Sequence, residues 1–453
     1  MKKTQLALAI AATAMVSTPV LATNGDKLIG LGAQSRALGG TGTAAYFGSE
    51  NALTNPSLIG KGEGTEFAIG GTLFKPDVKA ETDVASLGDG SAVSQTSDAD
   101  TNIIPEVSLS TRLNDNWTFG LGIFGSAGMG TDYRDNGGFD SPATPPNPQT
   151  QNPGANGNGT GLFNGYSNLQ LMKFAPSLAY NNDRWGIGFA PVIQYGALDI
   201  NYQTFNAFTN QTSNVGNGMS SDLGFGFNIG GHFDLSDALT IALAYQSPID
   251  MEYDDQITTA AAGFGLQGFS DKLEQPAEIK VGAAYEMGRF LFTADAKQIK
   301  WGQANGYEDF NWEDQNVFGL GAKYSGNNYW VGVGYNYGED PIDKVQDNTY
   351  AGQAVDMFNN HFFPAIVEQH FTFGGGYQIS QNLALDASVV YAPEISKSVN
   401  TGRVSQGYIM NSAMQAGMSQ QQAQQQAANA NGNSEHEVTH SQIGYTISLR
   451  MNF

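Results

Sequence analysis

The last twelve residues, Gln442–Phe453 (QIGYTISLRMNF), alternate without a slip. Ile443, Tyr445, Ile447, Leu449, Met451 and Phe453 share one side of an extended chain. Gln442, Gly444, Thr446, Ser448, Arg450 and Asn452 share the other. A period of two marks a strand with one apolar and one polar face. The pattern recurs near 64–75, 104–112, 116–127, 169–180, 184–199, 221–235, 238–252, 277–286, 289–299, 316–325, 328–337, 369–379 and 382–392. These segments suit tilted strands of roughly 9–11 residues.

The connections between them decide what kind of sheet this is. Tight turns fall near Asn114-Asp115, Asn181-Asn182-Asp183, Ser236-Asp237, Met287-Gly288, Gly326-Asn327 and Ser380-Gln381. Between them lie long stretches: about 76–103, 128–168, 200–220, 253–276, 300–315, 338–368 and 393–440. Short and long alternate throughout. A membrane barrel puts short turns on one side and long loops on the other, whereas a soluble sandwich has no reason to. The expected fold is therefore all-β: a transmembrane antiparallel β-barrel of about fourteen strands. Composition agrees. Only 14% of residues are charged, against about 25% in ordinary soluble domains, yet there are 57 Gly and 26 Phe. No stretch beyond the N-terminus approaches the ~20 apolar residues of a spanning helix. The absence of Cys fits an oxidising compartment.

Met1-Lys2-Lys3, the apolar run Leu6–Val16 and Val20-Leu21-Ala22 form the three parts of a secretory signal. Residues 1–22 are expected to be removed, taking the formal charge from −22 to −24 with the loss of Lys2 and Lys3. So acidic a chain is not built for nucleic acid. Residues 23–62 follow, too apolar for a free tail and too broken by glycine for a domain. Folded inside a barrel, with 63–453 as its wall, they would be a plug. The Phe-terminated last strand resembles the closing strand of a bacterial outer-membrane barrel, which implies that this end addresses the barrel assembly machinery.

The run GLGAQSRALGGTGTAAYFGSENALTNPSLIG resembles the N-terminal hatch of the FadL family of outer-membrane transporters for hydrophobic compounds. Arg36, Gly39 and Gly40, then Asn55-Pro56, carry the likeness; Ser57 stands where the family has Ala. Leu113–Gly120 (LNDNWTFG) also resembles that family's turn into its third strand. The resemblance implies a monomer in the outer membrane of a Gram-negative bacterium, surrounded by outer-membrane lipid. It implies passive transport of hydrophobic small molecules, most directly long-chain fatty acids, with aromatic hydrocarbons as the alternative. Capture by outer loops, a shift of the hatch and lateral exit beside a kinked third strand complete that picture. Gly122, Gly125 and Gly128 permit such a kink, because glycine in a strand marks bends and bulges; packing against the plug is the plainer reading.

Strand parity points Lys280, Glu286, Asp295, Lys297, Asp386 and Arg450 into the lumen. Salt bridges are the ordinary role of such residues, but Lys280 and Lys297 could meet a ligand carboxylate. No arginine stands in 184–199 beyond Arg184, which leaves an uncharged ligand open. Among the loops, Phe205, Phe208, Phe264, Leu266 and Phe269 are apolar candidates for capture, or for packing the loops on each other.

Two strings imitate chemistry. Gly120-x-Gly122-x-x-Gly125 lacks the helix that would present phosphate to a dinucleotide fingerprint. His436-Glu437-Val438-Thr439-His440 matches a zinc-protease string, but on an extended chain its histidines lie ~13 Å apart. No cofactor, catalytic residue or dedicated metal site is expected; incidental metal capture by His361, His370, His436 and His440 stays open. Met414–Asn433, with its QQQAQQQ core, reads as a short helix or as disorder. A porin, a barrel enzyme and an adhesin are the rival classes; the apolar plug speaks against the first and the lack of a nucleophile–base pair against the second.

Overall fold

The computed structural model describes residues 24–84, 92–134, 164–206, 211–345, 347–430 and 432–453. The proposed signal segment lies outside them. Fourteen long strands make the wall: β1 (Thr65–Thr82), β2 (Asn102–Arg112), β3 (Trp117–Met129), β4 (Tyr166–Asn181), β5 (Trp185–Asn206), β6 (Ser220–Asp234), β7 (Leu239–Gln246) and β8 (Glu278–Met287), then β9 (Phe290–Ile299), β10 (Gln315–Ser325), β11 (Tyr329–Gly338), β12 (Gln369–Ser380), β13 (Leu383–Asn400) and β14 (Glu435–Asn452). Each pairs antiparallel with its neighbours, and β14 closes on β1 from Glu66↔Asn452 to Thr82↔His436. Two short strands, Val93–Thr96 and Gln211–Val215, extend the outer ends of β1 and β5.

The alternation read from sequence becomes two faces. Ile69, Phe225, Leu243, Leu320, Phe373 and Ile447 are exposed outward, while Thr72, Asn228, Thr446 and Ser448 are buried inward. The apolar band has a clear upper edge: on β1 the outward residues change from Ile69 and Leu73 to Lys75, Asp77 and Lys79. On β14 they change from Tyr445 to Ser441, Thr439 and Glu437. That boundary marks where lipid ends, and the wall continues beyond it on the side of the long loops. At the opposite edge Trp117, Tyr180 and Trp185 cluster with ring centroids 5.1 and 5.7 Å apart, the aromatic girdle of an interface.

One strand is shorter than its pattern suggested. The alternation at 238–252 continues past Gln246, but Pro248 has no N–H to give the ladder. Ile249 and Glu252 bridge instead to Gln275 and Lys272, above the barrel. The final strand is longer, starting at Glu435, so His436 and His440 sit on extended backbone. The Gln-rich segment is helical: Gly402–Gln415 and Gln420–Ala427, the latter opened by a Ser419/Gln422 capping box.

Residues 24–64 fill the lumen as short turns: Gly32–Ala37, Asn51–Thr54 and Pro56–Lys61. Arg36 pins them to the closing seam. Its guanidinium gives Nη2 to Glu106 of β2 at 2.5 Å, and Nη1 to Thr72 of β1 and Thr446 of β14. Gly39 allows the closest approach: with φ +69°, a Cβ there would meet the carbonyl oxygens of Tyr335 and Leu320 at 2.4 and 2.6 Å. Gly40, at φ +74°, turns back on Ile29. The Asn55-Pro56 turn is braced from within. Asn55 Nδ2 donates to Thr43 O, and its Oδ1 accepts from Ser57 N and Oγ. Ser57 Oγ also lies 3.0 Å from His232 Nδ1. Because the hydroxyl proton goes to Asn55, the imidazole is the donor here, which is a brace and not a nucleophile–base pair.

Candidate functional site

Where the plug's first turn meets the wall, a cavity of about 70 Å³ is lined by four lysines, Lys27, Lys173, Lys280 and Lys297, and two carboxylates, Glu278 and Asp295. Lys27 Nζ bonds Glu278 Oε1 at 2.5 Å and Pro276 O at 3.2 Å; Lys280 Nζ reaches Glu278 Oε2 at 3.0 Å. Asp295 Oδ2 accepts from the Gly42 and Thr43 amides at 3.0 and 2.9 Å, while its Oδ1 has no hydrogen-bond partner among the described residues. Lys297 Nζ has the Ile29 carbonyl at 3.5 Å. Lys173, buried, has no ion-pair partner among the described residues. Ammonium groups thus outnumber carboxylates in a confined site, an arrangement complementary to an anion. Lys280 and Lys297 were expected from parity. Lys173 was not singled out, although it shares the parity of Leu169 and Leu171 and stands as a charge in the apolar run LQLMKFAP.

The plug's first turn also touches the wall at its irregular point. The β2–β3 ladder runs from Arg112↔Thr118 to Glu106↔Phe124 and stops there. Above it, Asn102–Pro105 pairs only with β1, and β3 slips register against β4 between Gly125 and Ala127, a bulge at Ser126. Freed from β2, the upper end of β3 turns to the plug: Gly128 N donates to Asp26 O at 2.9 Å, and Lys27 bridges Ala127. Phe124 and Ile104, both buried, fill the space between the separated strands. Gly122 and Gly125 are what let them: a Cβ at Gly122 would lie 2.3 Å from the Phe124 ring, and one at Gly125 2.7 Å from Ile104 Cγ2.

A third contact holds the turn from the loop side. Asp26 Oδ2 accepts from Tyr307 Oη at 2.5 Å and Gln275 Nε2 at 2.7 Å. Burial pushes the Asp26 carboxyl above its usual range, opposed first by the Tyr307 bond. Trp301, Tyr307 and Trp312 pack with centroids 4.6 to 4.9 Å apart, and Trp301 lies over Gly25.

The loop candidates lie mostly inside a common apolar core. Phe264 and Leu266 are buried; Phe264 meets Phe358 at 5.2 Å, Tyr202 at 5.4 Å and Phe362 at 6.0 Å. Phe269 is half-buried and 4.7 Å from Phe310. Phe205 is near the outer end of β5, its backbone paired with Thr212, and Phe208 lies outside the described residues. Of the other lumen carboxylates, Asp386 pairs with Arg450 and accepts from Trp330 Nε1 at 2.7 Å, and Glu286 lines the mouth at the short-turn end. Among the described residues no three His, Asp or Glu side chains group to hold a metal; His361 and His436 instead share a hydrogen bond of 3.1 Å.

The chain matches the sequence model of a family described as "Outer membrane protein transport protein (OMPP1/FadL/TodX)" over residues 13–143 and 150–433. It is 24% identical over 278 residues to a "Long-chain fatty acid transport protein" of Escherichia coli, a match spanning 55% of this chain and 56% of that one. The chain thus covers little more than half of that relative's length. Its fold is similar to that of the Pseudomonas putida toluene transporter TodX, with a TM-score of 0.64 at 18% identity over 95% of this chain and 100% of that one. The Ralstonia pickettii toluene transporter TbuX gives 0.60 at 18% identity, covering 94% and 98%. A Pseudomonas aeruginosa FadL homologue gives 0.60 at 14%, covering 96% and 100%.

Proposed function

This chain belongs to the outer-membrane transport family of OMPP1, FadL and TodX, and on that premise we propose that it carries long-chain fatty acids passively across the outer membrane. The family moves hydrophobic molecules; the finer assignment is ours. What supports it is the cavity lined by Lys173 and Lys297, neither of which makes an ion pair among the described residues. A fatty acid would reach it from the loops, where Phe264, Leu266 and Phe269 serve as apolar contacts once the loop core opens. Its head group would pair with Lys173, Lys280 and Lys297. The plug's first turn then withdraws from β3, and the chain leaves between β2 and β3 past Phe124 and Ile104 into lipid. That route keeps an acyl chain out of water throughout. The plug, held at Arg36, Gly39, Gly40, Asn55 and Pro56, stays docked elsewhere.

We further infer that Met1–Ala22 is removed, that the protein acts as a monomer, and that β14 is the strand the barrel assembly machinery engages. The second reading, import of aromatic hydrocarbons, draws on the likeness to toluene transporters; a neutral ring would leave the lysines without a partner. The test is uptake of radiolabelled oleate and toluene by cells lacking their own transporter. Lys173→Gln should cut oleate uptake about tenfold, the loss of one charge-assisted contact, and leave any toluene uptake unchanged. Toluene uptake with no oleate uptake would overturn the assignment.

A further inference from the structure

We propose that the Glu278 carboxylate is a resident surrogate for the substrate's, and that its exchange for an incoming carboxylate releases Lys27 and with it the plug's hold on β3. This rests on the fatty acid reading above and adds the group that would couple binding to opening, and so confine opening to anionic ligands.

Lys27 has two ends in two places. Its ammonium group lies in the cavity, on Glu278 Oε1 at 2.5 Å and the Pro276 carbonyl at 3.2 Å. Its backbone bridges Ala127, beside the Ser126 bulge, and the preceding carbonyl, Asp26 O, takes the Gly128 amide. Whatever holds the Lys27 side chain therefore also holds the upper end of β3 against the plug. Glu278 itself is buried and shared, with Oε2 on Lys280 at 3.0 Å. The two remaining lysines of the cavity, Lys173 and Lys297, make no ion pair among the described residues.

An anion entering this space gains from Lys173 and Lys297 and is repelled by Glu278. In a confined, poorly solvated site the newcomer and Glu278 repel one another and share four ammonium groups, so the newcomer draws on Lys27 and Lys280 as well as Lys173 and Lys297. The space, about 70 Å³, admits a head group and not a whole acyl chain, so the newcomer must sit beside Glu278. Competition weakens the Glu278–Lys27 pair, which holds the first turn together with the Pro276 carbonyl on Lys27 and the Tyr307 and Gln275 bonds to Asp26. A neutral hydrocarbon brings no charge to this exchange and does not break the pair. Glu278 is thus a positioning residue whose ionised carboxylate sets the specificity of opening.

The experiment is amide hydrogen exchange on the protein in lipid nanodiscs, following peptides over 24–31 and 122–130, with laurate and 1-dodecanol as probes and laurate binding measured by calorimetry on the same sample. Laurate should speed exchange in both peptides by about tenfold, and dodecanol should not. In Glu278→Gln the two peptides should exchange fast without ligand, with laurate adding less than twofold. Laurate that binds while both peptides stay as protected as in the free protein overturns the surrogate and leaves the fatty acid reading standing. Equal release by dodecanol overturns it as well. If laurate does not bind, both fall. Should Glu278→Gln fail to fold, judged by heat-modifiable mobility, the laurate–dodecanol contrast in the parent protein decides alone.

Discussion

Arg36 and Glu50 are two buried ionisable groups of the plug, and they behave oppositely. Arg36 is fully paired with Glu106 and two threonines. Arg36→Ala leaves Glu106 buried without its cation, a loss of about 3–5 kcal/mol for breaking a buried pair. That loss falls on plug docking. Channel events should then appear in planar bilayers where the parent is quiet; silent bilayers and unchanged protease resistance would contradict this. Glu50 is buried with Oε2 unpartnered among the described residues. Burial pushes its carboxyl up to about 8; Arg450 pulls it down and Glu66 pushes it further up. The unfolded chain loses this proton near pH 4.5 and the folded chain near 8, so between those values the folded state holds more proton and stability falls as pH rises. Glu50→Gln should remove that slope, its stability relative to the parent growing from pH 5 to pH 9 in urea unfolding from phospholipid vesicles. A constant difference across that range would contradict the assignment.

At the scale of elements, the strands and turns were legible because each depends on local alternation and local turn chemistry. Where reading failed, the missing information was long-range. Glycines at 122, 125 and 128 permitted a bend in β3, yet the pairing stops at Phe124 because the upper end of β3 takes Asp26 O and Lys27 as partners. No local pattern announces that. The apolar loop residues were readable as apolar, but Phe264 is buried against Tyr202, Phe358 and Phe362, from 62 to 98 positions away in the chain. Lys173 was legible from parity, whereas its convergence with Lys27, Lys280 and Lys297 needed the closed barrel.

For the whole molecule, a strongly acidic chain, formal charge −22, encloses a local excess of cations. The field outside thus repels anions that the interior attracts, so oleate uptake by the parent should rise with ionic strength as screening weakens the outer repulsion. Closure depends on the seam, where Phe453 N and O exchange bonds with Thr65 O and N at 2.8 and 3.2 Å. Deleting Phe453 should reduce heat-modifiable barrel at the cell surface severalfold; unchanged surface levels would remove this end's assembly role.

The central claim is exit sideways between β2 and β3. Its most direct test is oleate uptake, at matched surface levels, by the parent and by Gly122→Val and Gly125→Val, whose added Cβ groups press on Phe124 and Ile104. Lateral exit predicts that uptake collapses in the variants while laurate binding to the purified barrels persists. Uptake equal to the parent's in both variants would contradict it.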